Sequence, residues 1–123
     1  MKVRGIRGAN VAKANTREAI YEATSELIQA IIEANEIEPE EIASIFLTAT
    51  RDLDADFPAY AVRDLGYSSI PLLCASEIDV KGAMKSLIRI LIHANTNKNQ
   101  NEIRHVYLGG SDKLRPDLFG SDG

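Results

Sequence analysis

The chain has 123 residues, a net charge of −4, and 45% apolar and 26% charged side chains. That is one domain with one modest core, too acidic for a nucleic-acid-binding surface and without an apolar run long enough to cross a bilayer. Lys2, Arg4 and Arg7 interrupt any apolar leader, and the single Cys74 excludes an internal disulfide or a cysteine zinc cluster, so the expectation is a cytoplasmic protein with one domain over residues 1–123.

Lys2 to Val11 predicts a first strand, with Val3, Gly5, Arg7, Ala9 and Val11 on one face by the period-two rule. Arg7 is then a long cation on a face of small and apolar residues. Asn15 is expected to cap a helix, with Glu18 in capping-box position. Its buried stripe is Ile20, Ala23, Thr24, Leu27, Ile28, Ile31 and Ala34, while Glu22, Glu26 and Glu33 face water. Pro39 opens a short helical turn, and Ser44 to Thr50 reads as a second strand. After a charged loop, Pro58 and Gly66 bracket a short helix over Ala59 to Leu65.

Ile70 to Cys74 reads as a third strand and Ser76 to Met84 as a turn. Leu87 to Ala94 is a fourth strand, Asn95 to Glu102 a polar loop, and Ile103 to Leu108 a fifth strand. Residues 111–123 predict a mobile tail, which we expect to order over a bound substrate. The fold class is α/β (α+β), with a mixed five-stranded sheet, one long helix and one or two short ones. One long helix cannot cover both faces of five strands, so the second face calls for another copy of the chain.

Arg89 stands inside the most apolar run, Ser86-Leu87-Ile88-Arg89-Ile90-Leu91-Ile92-His93. Read as a buried guanidinium, it needs an anionic partner, either a side chain of the same protein or a substrate. Seven of the eight arginines lie outside the acidic segment 15–41, and several fall in predicted strands. Arginines placed in strands of an acidic protein suggest a site for a small anion rather than a polyanion surface.

Glu77 is either a solvated turn residue or a carboxylate at a strand end, where ligands of open sheets sit. Tyr107 is either core packing or a hydroxyl offered to a ligand. Cys74 reads as a small hydrophobe, and His93 and His105 as structural, since no metal-ligand spacing accompanies them. There is no nucleophile elbow and no phosphate loop. What remains is arginines, one glutamate and one tyrosine: a set that binds an anion and shapes a field without a nucleophile.

These residues lie in blocks that resemble the AroH-type chorismate mutases. The blocks are Arg4-Gly5-Ile6-Arg7-Gly8-Ala9, Ala49-Thr50, Asp52-Leu53, Phe57-Pro58-Ala59, Ala61-Val62-Arg63, Pro71, Cys74, Glu77 with Asp79-Val80, Ile88-Arg89, Ile103 through Leu108, and Leu114-Arg115-Pro116-Asp117-Leu118. They run in order over nearly the whole chain. The resemblance implies a homotrimeric pseudo-barrel with active sites between subunits, and conversion of chorismate to prephenate by a Claisen rearrangement, with no cofactor and no metal. It also implies a place in aromatic amino acid biosynthesis.

By the same resemblance, Arg89 and Glu77 are the catalytic pair, with Arg89 reaching the ether oxygen. Arg7 and Tyr107 hold a substrate carboxylate. Cys74 joins Glu77 near the ring hydroxyl. Phe57, Ala59, Leu72 and Leu73 line the pocket, and Arg63, Leu114 and Arg115 stand near its mouth. Tyr60 stands where the family pattern has lysine, and Leu73 where it often has threonine. Two rivals stand beside this reading: a trimeric imine deaminase of the RidA type, and a non-catalytic module that binds a carboxylate.

Overall fold

The computed structural model describes residues 1–114. Its elements are β1 (Lys2–Val11), α1 (Arg17–Asn35), β2 (Ile42–Ala49), α2 (Pro58–Asp64), β3 (Leu72–Ser76), β4 (Leu87–Thr96) and β5 (Val106–Tyr107), with 3-10 turns at Pro39–Glu41, Gln100–Glu102 and Ser111–Leu114. The five strands form one mixed sheet in the order β3-β2-β4-β1-β5. β4 pairs antiparallel with both β1 and β2, whereas β3 joins β2, and β5 joins β1, in parallel.

Register sorts every strand residue to one of two faces, because directly paired residues point the same way. Ile6, Gly8 and Asn10 of β1 pair with Ile92, Ile90 and Ile88 of β4. Ile45, Leu47 and Ala49 of β2 meet the same three isoleucines from the other side. These residues pack with Ile20, Leu27, Ile28 and Ile31 of α1 and with Ala59 and Val62 of α2 to form the core. The long apolar run in β4 is thus two alternating faces. Ile88, Ile90, Ile92 and Ala94 are buried, while Arg89 is exposed and Leu91 and His93 are only half-buried. Among the described residues no layer covers the second face, where Val3, Phe46 and Leu73 stand exposed.

Two close approaches set the position of β5. A methyl group at Gly8 would lie 2.7 Å from Ile31 Cδ1, 2.8 Å from the Val106 carbonyl oxygen and 3.0 Å from Leu27 Cδ1. Glycine there lets α1 and β5 close on β1 together. Asn35, buried at the end of α1, donates to the Arg104 carbonyl (2.9 Å) and accepts from the Arg104 N–H (2.8 Å). The strand itself has only two residues in register with β1, Val106 with Gly8 and Tyr107 with Ala9. Side chains extend that pairing at both ends. The Arg7 N–H donates to His105 Nδ1 (3.0 Å), and the Ser111 hydroxyl approaches the carbonyls of Ala9 (3.1 Å) and Leu108 (2.6 Å).

Three expectations are corrected. Thr16, not Asn15, caps α1: its hydroxyl accepts from the Ala19 N–H (3.1 Å). Both residue types suit a cap, but the Asn15 side chain is engaged by the loop before α2. It donates to Asp54 (2.7 Å) and accepts from the Asp54 and Ala55 N–H groups (3.0 Å each), fixing the loop that carries Phe57. The fifth strand is shorter than the apolar pattern Ile103–Leu108, because Ile103 turns into the core instead of pairing. The segment expected to be a mobile tail starts from an anchored turn, with Ser111 fully buried; its remainder, 115–123, lies outside the described residues.

Candidate active site

The uncovered face of the sheet gathers Arg7, Thr48, Arg89 and Tyr107. Thr48 is paired with Arg89, Arg89 with Ala9, and Ala9 with Tyr107, while Arg7, paired with Leu91, lies two residues along β1 on the same face, so four strands deliver these side chains to one patch. With Phe46 and Leu91 they line a cavity of about 330 Å³, a size that suits a small-molecule site. Its floor is apolar, and its polar groups are two guanidiniums, a hydroxyl and a phenol.

Glu77 lies just past the end of β3, where its N–H donates to the Ala49 carbonyl (3.0 Å). Its carboxylate returns over the sheet. Oε2 accepts from Arg89 Nε at 3.0 Å and also from the Thr48 hydroxyl. The expected buried guanidinium is therefore corrected: the Arg89 side chain is 50% exposed, and Glu77, at 19%, is the more enclosed partner. The alternation of β4 explains this, since position 89 falls on the face without a helix. Of the partners left open for Arg89, the same-chain carboxylate is present. It uses Nε, and among the described residues no hydrogen-bond partner is found for the terminal guanidinium nitrogens.

Thr48 was missed by sequence reasoning. A threonine in a strand is ordinary β chemistry, and its carboxylate partner lies 29 residues away in a loop. The strand that presents Arg89 is fixed at its start by Asp52. Asp52 Oδ2 accepts from the Ser86 N–H (2.8 Å) and hydroxyl (3.1 Å), holding Ser86 in a left-handed conformation (φ 57°) immediately before β4. Burial pushes the Asp52 carboxyl up, but hydrogen bonds from Thr50 and Ser86 outweigh it and hold it below the ordinary aspartate range. A lowered folded value means stability that is full above the unfolded pKa of about 3.9 and fades as pH falls through the folded one. Asp52→Asn should therefore lower the urea midpoint at neutral pH, and the gap to the parent should close on acidification below about pH 4. An equal gap at every pH would assign the effect to something other than the charge.

The other site residues form a second group. Phe57 and Cys74 line a separate cavity of about 740 Å³ with the loop 51–56. Phe57 packs edge-on to Tyr60 (5.3 Å between centroids), and the Arg63 guanidinium lies 5.2 Å from the Tyr60 ring. Burial pushes the Cys74 thiol up, against weaker opposite effects of the Ala59 backbone N–H and of Arg63. The thiol form is a poor nucleophile.

Ala59 is buried and Leu72 packs against the core, on the helix side of the sheet, while Leu73 is exposed on the open face beside Phe46. Leu114 is half-exposed at the end of the last turn, and Arg115 lies outside the described residues. Within one chain, then, Arg7, Glu77, Arg89 and Tyr107 come together, and Phe57, Arg63 and Cys74 come together elsewhere. His93 and His105 bond to Ser44 (3.1 Å) and to the Arg7 N–H. No helix among the described residues is long and apolar enough to cross a membrane.

The family model for chorismate mutase type I matches residues 3–118. Chorismate mutase AroH of Bacillus subtilis is 45% identical over 119 residues, covering 96% of this chain and 94% of the relative. Chorismate mutase AroH of Thermus thermophilus is 47% identical over 117 residues, covering 94% and 96%. A solved chorismate mutase from Clostridium thermocellum superimposes with a TM-score of 0.88 at 44% identity, over 89% of this chain and 98% of that one. Two arginines on the open face of a mixed five-stranded sheet thus coincide with matches over nearly the full length, and the chain belongs to the type I chorismate mutase family.

Proposed function

We propose that this protein is an isomerase that converts chorismate to prephenate, supplying aromatic amino acid biosynthesis in the cytoplasm. The observation that carries this reading is the convergence of Arg7, Arg89 and Tyr107 on one cavity, with Glu77 paired to Arg89, in a chain of this family. The reaction breaks one C–O bond and makes one C–C bond within a single molecule, with no net proton transfer or redox change. It therefore calls for no cofactor, metal or nucleophile. It needs the enolpyruvyl arm held over the ring and the negative charge on the parting ether oxygen stabilised.

In this reading Arg7 and Tyr107 hold a carboxylate of chorismate, and the terminal nitrogens of Arg89 meet the ether oxygen. Glu77 accepts from the ring hydroxyl with the oxygen that Arg89 leaves open. Phe57, Arg63, Leu72, Leu73 and Cys74 act from a neighbouring subunit, and Ala59 supports that wall. Leu114 and Arg115 close on the substrate. Two features favour a homotrimer with sites between subunits: the site residues fall into two groups within one chain, and none of the described residues covers the face of the sheet bearing Val3, Phe46 and Leu73. The deaminase and regulatory rivals find no support among the relatives named above.

Loss of chorismate with prephenate identified as the product tests the activity, and absence of turnover would overturn it. Sedimentation equilibrium is expected to give three times the 13.5 kDa chain mass. A stable monomer at micromolar concentration would remove the interfacial site.

A further inference from the structure

We propose that Thr48 is a positioning residue that sets the Glu77 carboxylate and, through it, keeps the Arg89 guanidinium available to substrate. The proposal rests on the reading of Arg89 and Glu77 given above and extends it to a residue with no assigned role. Glu77 stands in a loop, beyond the last paired residue of β3. Its backbone is tied by one hydrogen bond to Ala49, which leaves the carboxylate free to turn about its own side-chain bonds. Two donors remove that freedom by converging on the same oxygen: the Thr48 hydroxyl from β2, and Arg89 Nε from β4 at 3.0 Å. Thr48 and Arg89 are direct cross-strand partners, so rigid sheet fixes the separation of the two donors.

The convergence has a chemical consequence. An arginine and a carboxylate left to themselves favour a two-bond fork, Nε and one terminal nitrogen on the two carboxylate oxygens. Such a fork would consume a terminal nitrogen of Arg89 and both oxygens of Glu77. With the Thr48 hydroxyl on Oε2, the carboxylate meets Arg89 through Nε alone. Oε1 is left to accept from a ligand hydroxyl, and the terminal nitrogens are left to donate to a ligand oxygen. Thr48 thus divides the ion pair between structure and chemistry.

Thr48→Val keeps the shape and the strand propensity and removes only the hydroxyl. It should lower kcat for chorismate about tenfold with KM changed less than about threefold, because the lost alignment counts most where charge develops. Thr48→Ser restores the hydroxyl and should return kcat to within about twofold of the parent. In a Glu77→Ala background, Thr48→Val should have almost no further effect, since the group it acts through is gone.

A Thr48→Val enzyme with parental kcat would overturn the proposal. So would a serine variant as slow as the valine one, which would assign the effect to packing. A full tenfold loss in the Glu77→Ala background would show that Thr48 touches substrate itself. Parental protein is measured in the same assay: no turnover there would sink the mutase reading and this proposal together, whereas turnover with an indifferent Thr48→Val sinks this proposal alone.

Discussion

Arg89→Ala should lower kcat for chorismate by roughly 10²-fold or more, with a much smaller rise in KM. The split follows from where the charge appears. In bound chorismate the ether oxygen is neutral, and in the transition state the breaking bond places negative charge on it. A cation already aimed at that oxygen gains energy only as the bond stretches, so its loss is felt in kcat. A fixed donor of this kind supplies about 3 to 4 kcal/mol, of the roughly 8 kcal/mol that a million-fold acceleration requires. Alanine also leaves the enclosed Glu77 carboxylate without its cation. A second variant separates the two effects: citrulline at position 89 keeps the planar shape and the Nε donor to Glu77 but carries no charge. It should be nearly as slow as alanine. Full kcat for the citrulline enzyme, with the fold intact, would mean that positive charge at this position is irrelevant to the step.

Gly8→Ala is expected to cost about 3 kcal/mol of stability, at the upper end for overpacking by a single methyl. The new Cβ would meet two side chains of α1, which can turn, and the Val106 carbonyl oxygen at 2.8 Å, which cannot. That oxygen belongs to the two-residue strand that carries Tyr107. Relief therefore comes from pushing β5 off β1, and Tyr107 moves away from Arg7. For a chain of this length the melting temperature should fall by roughly 10 °C, and the protein that remains folded should bind chorismate more weakly. A loss below about 1 kcal/mol would mean that β5 adjusts without strain. In that case the glycine would be a matter of chain history rather than packing.

Much of this was legible from residues alone, where the signal is local. The boundaries of β1 and the buried stripe of α1 through Ile31 follow from period and composition, and Pro58 does open α2. What was misread depends on partners far along the chain. A run with Ile88, Ile90 and Leu91 around one arginine looks buried on both sides, and only the sheet shows that both helices lie on one of them. Asn15 suits a cap by residue type, and only the loop at Asp54 shows that its side chain is engaged elsewhere, leaving the cap to Thr16. Gly8 reads as one more small strand residue until α1 and Val106 are brought against it. Among the site residues, family resemblance named Arg7, Glu77, Arg89 and Tyr107, and the sheet brings those four together. Thr48 carried no signal, because its carboxylate partner Glu77 reaches it from the loop after β3, 29 residues along the chain.

The strand order also bears on how the protein is made. β1 leaves the ribosome first, yet its two neighbours in the sheet are β4 and β5, in register from Lys2 with Thr96 to Gly8 with Val106. Until β4 and β5 are made, this strand has no partner in the sheet, and Ile6 and Gly8 lack the Ile92 and Ile90 with which they pair. Pairings this distant in sequence are slow to form, and a nascent strand kept waiting is an open edge for other chains. Folding therefore waits for β4 and β5: pulse-labelled nascent chains should stay protease-sensitive until both have cleared the exit tunnel. A circular permutant that begins at the loop before β4 and joins the old termini would make β4 and β5 before β1, and should gain its protease resistance earlier in synthesis.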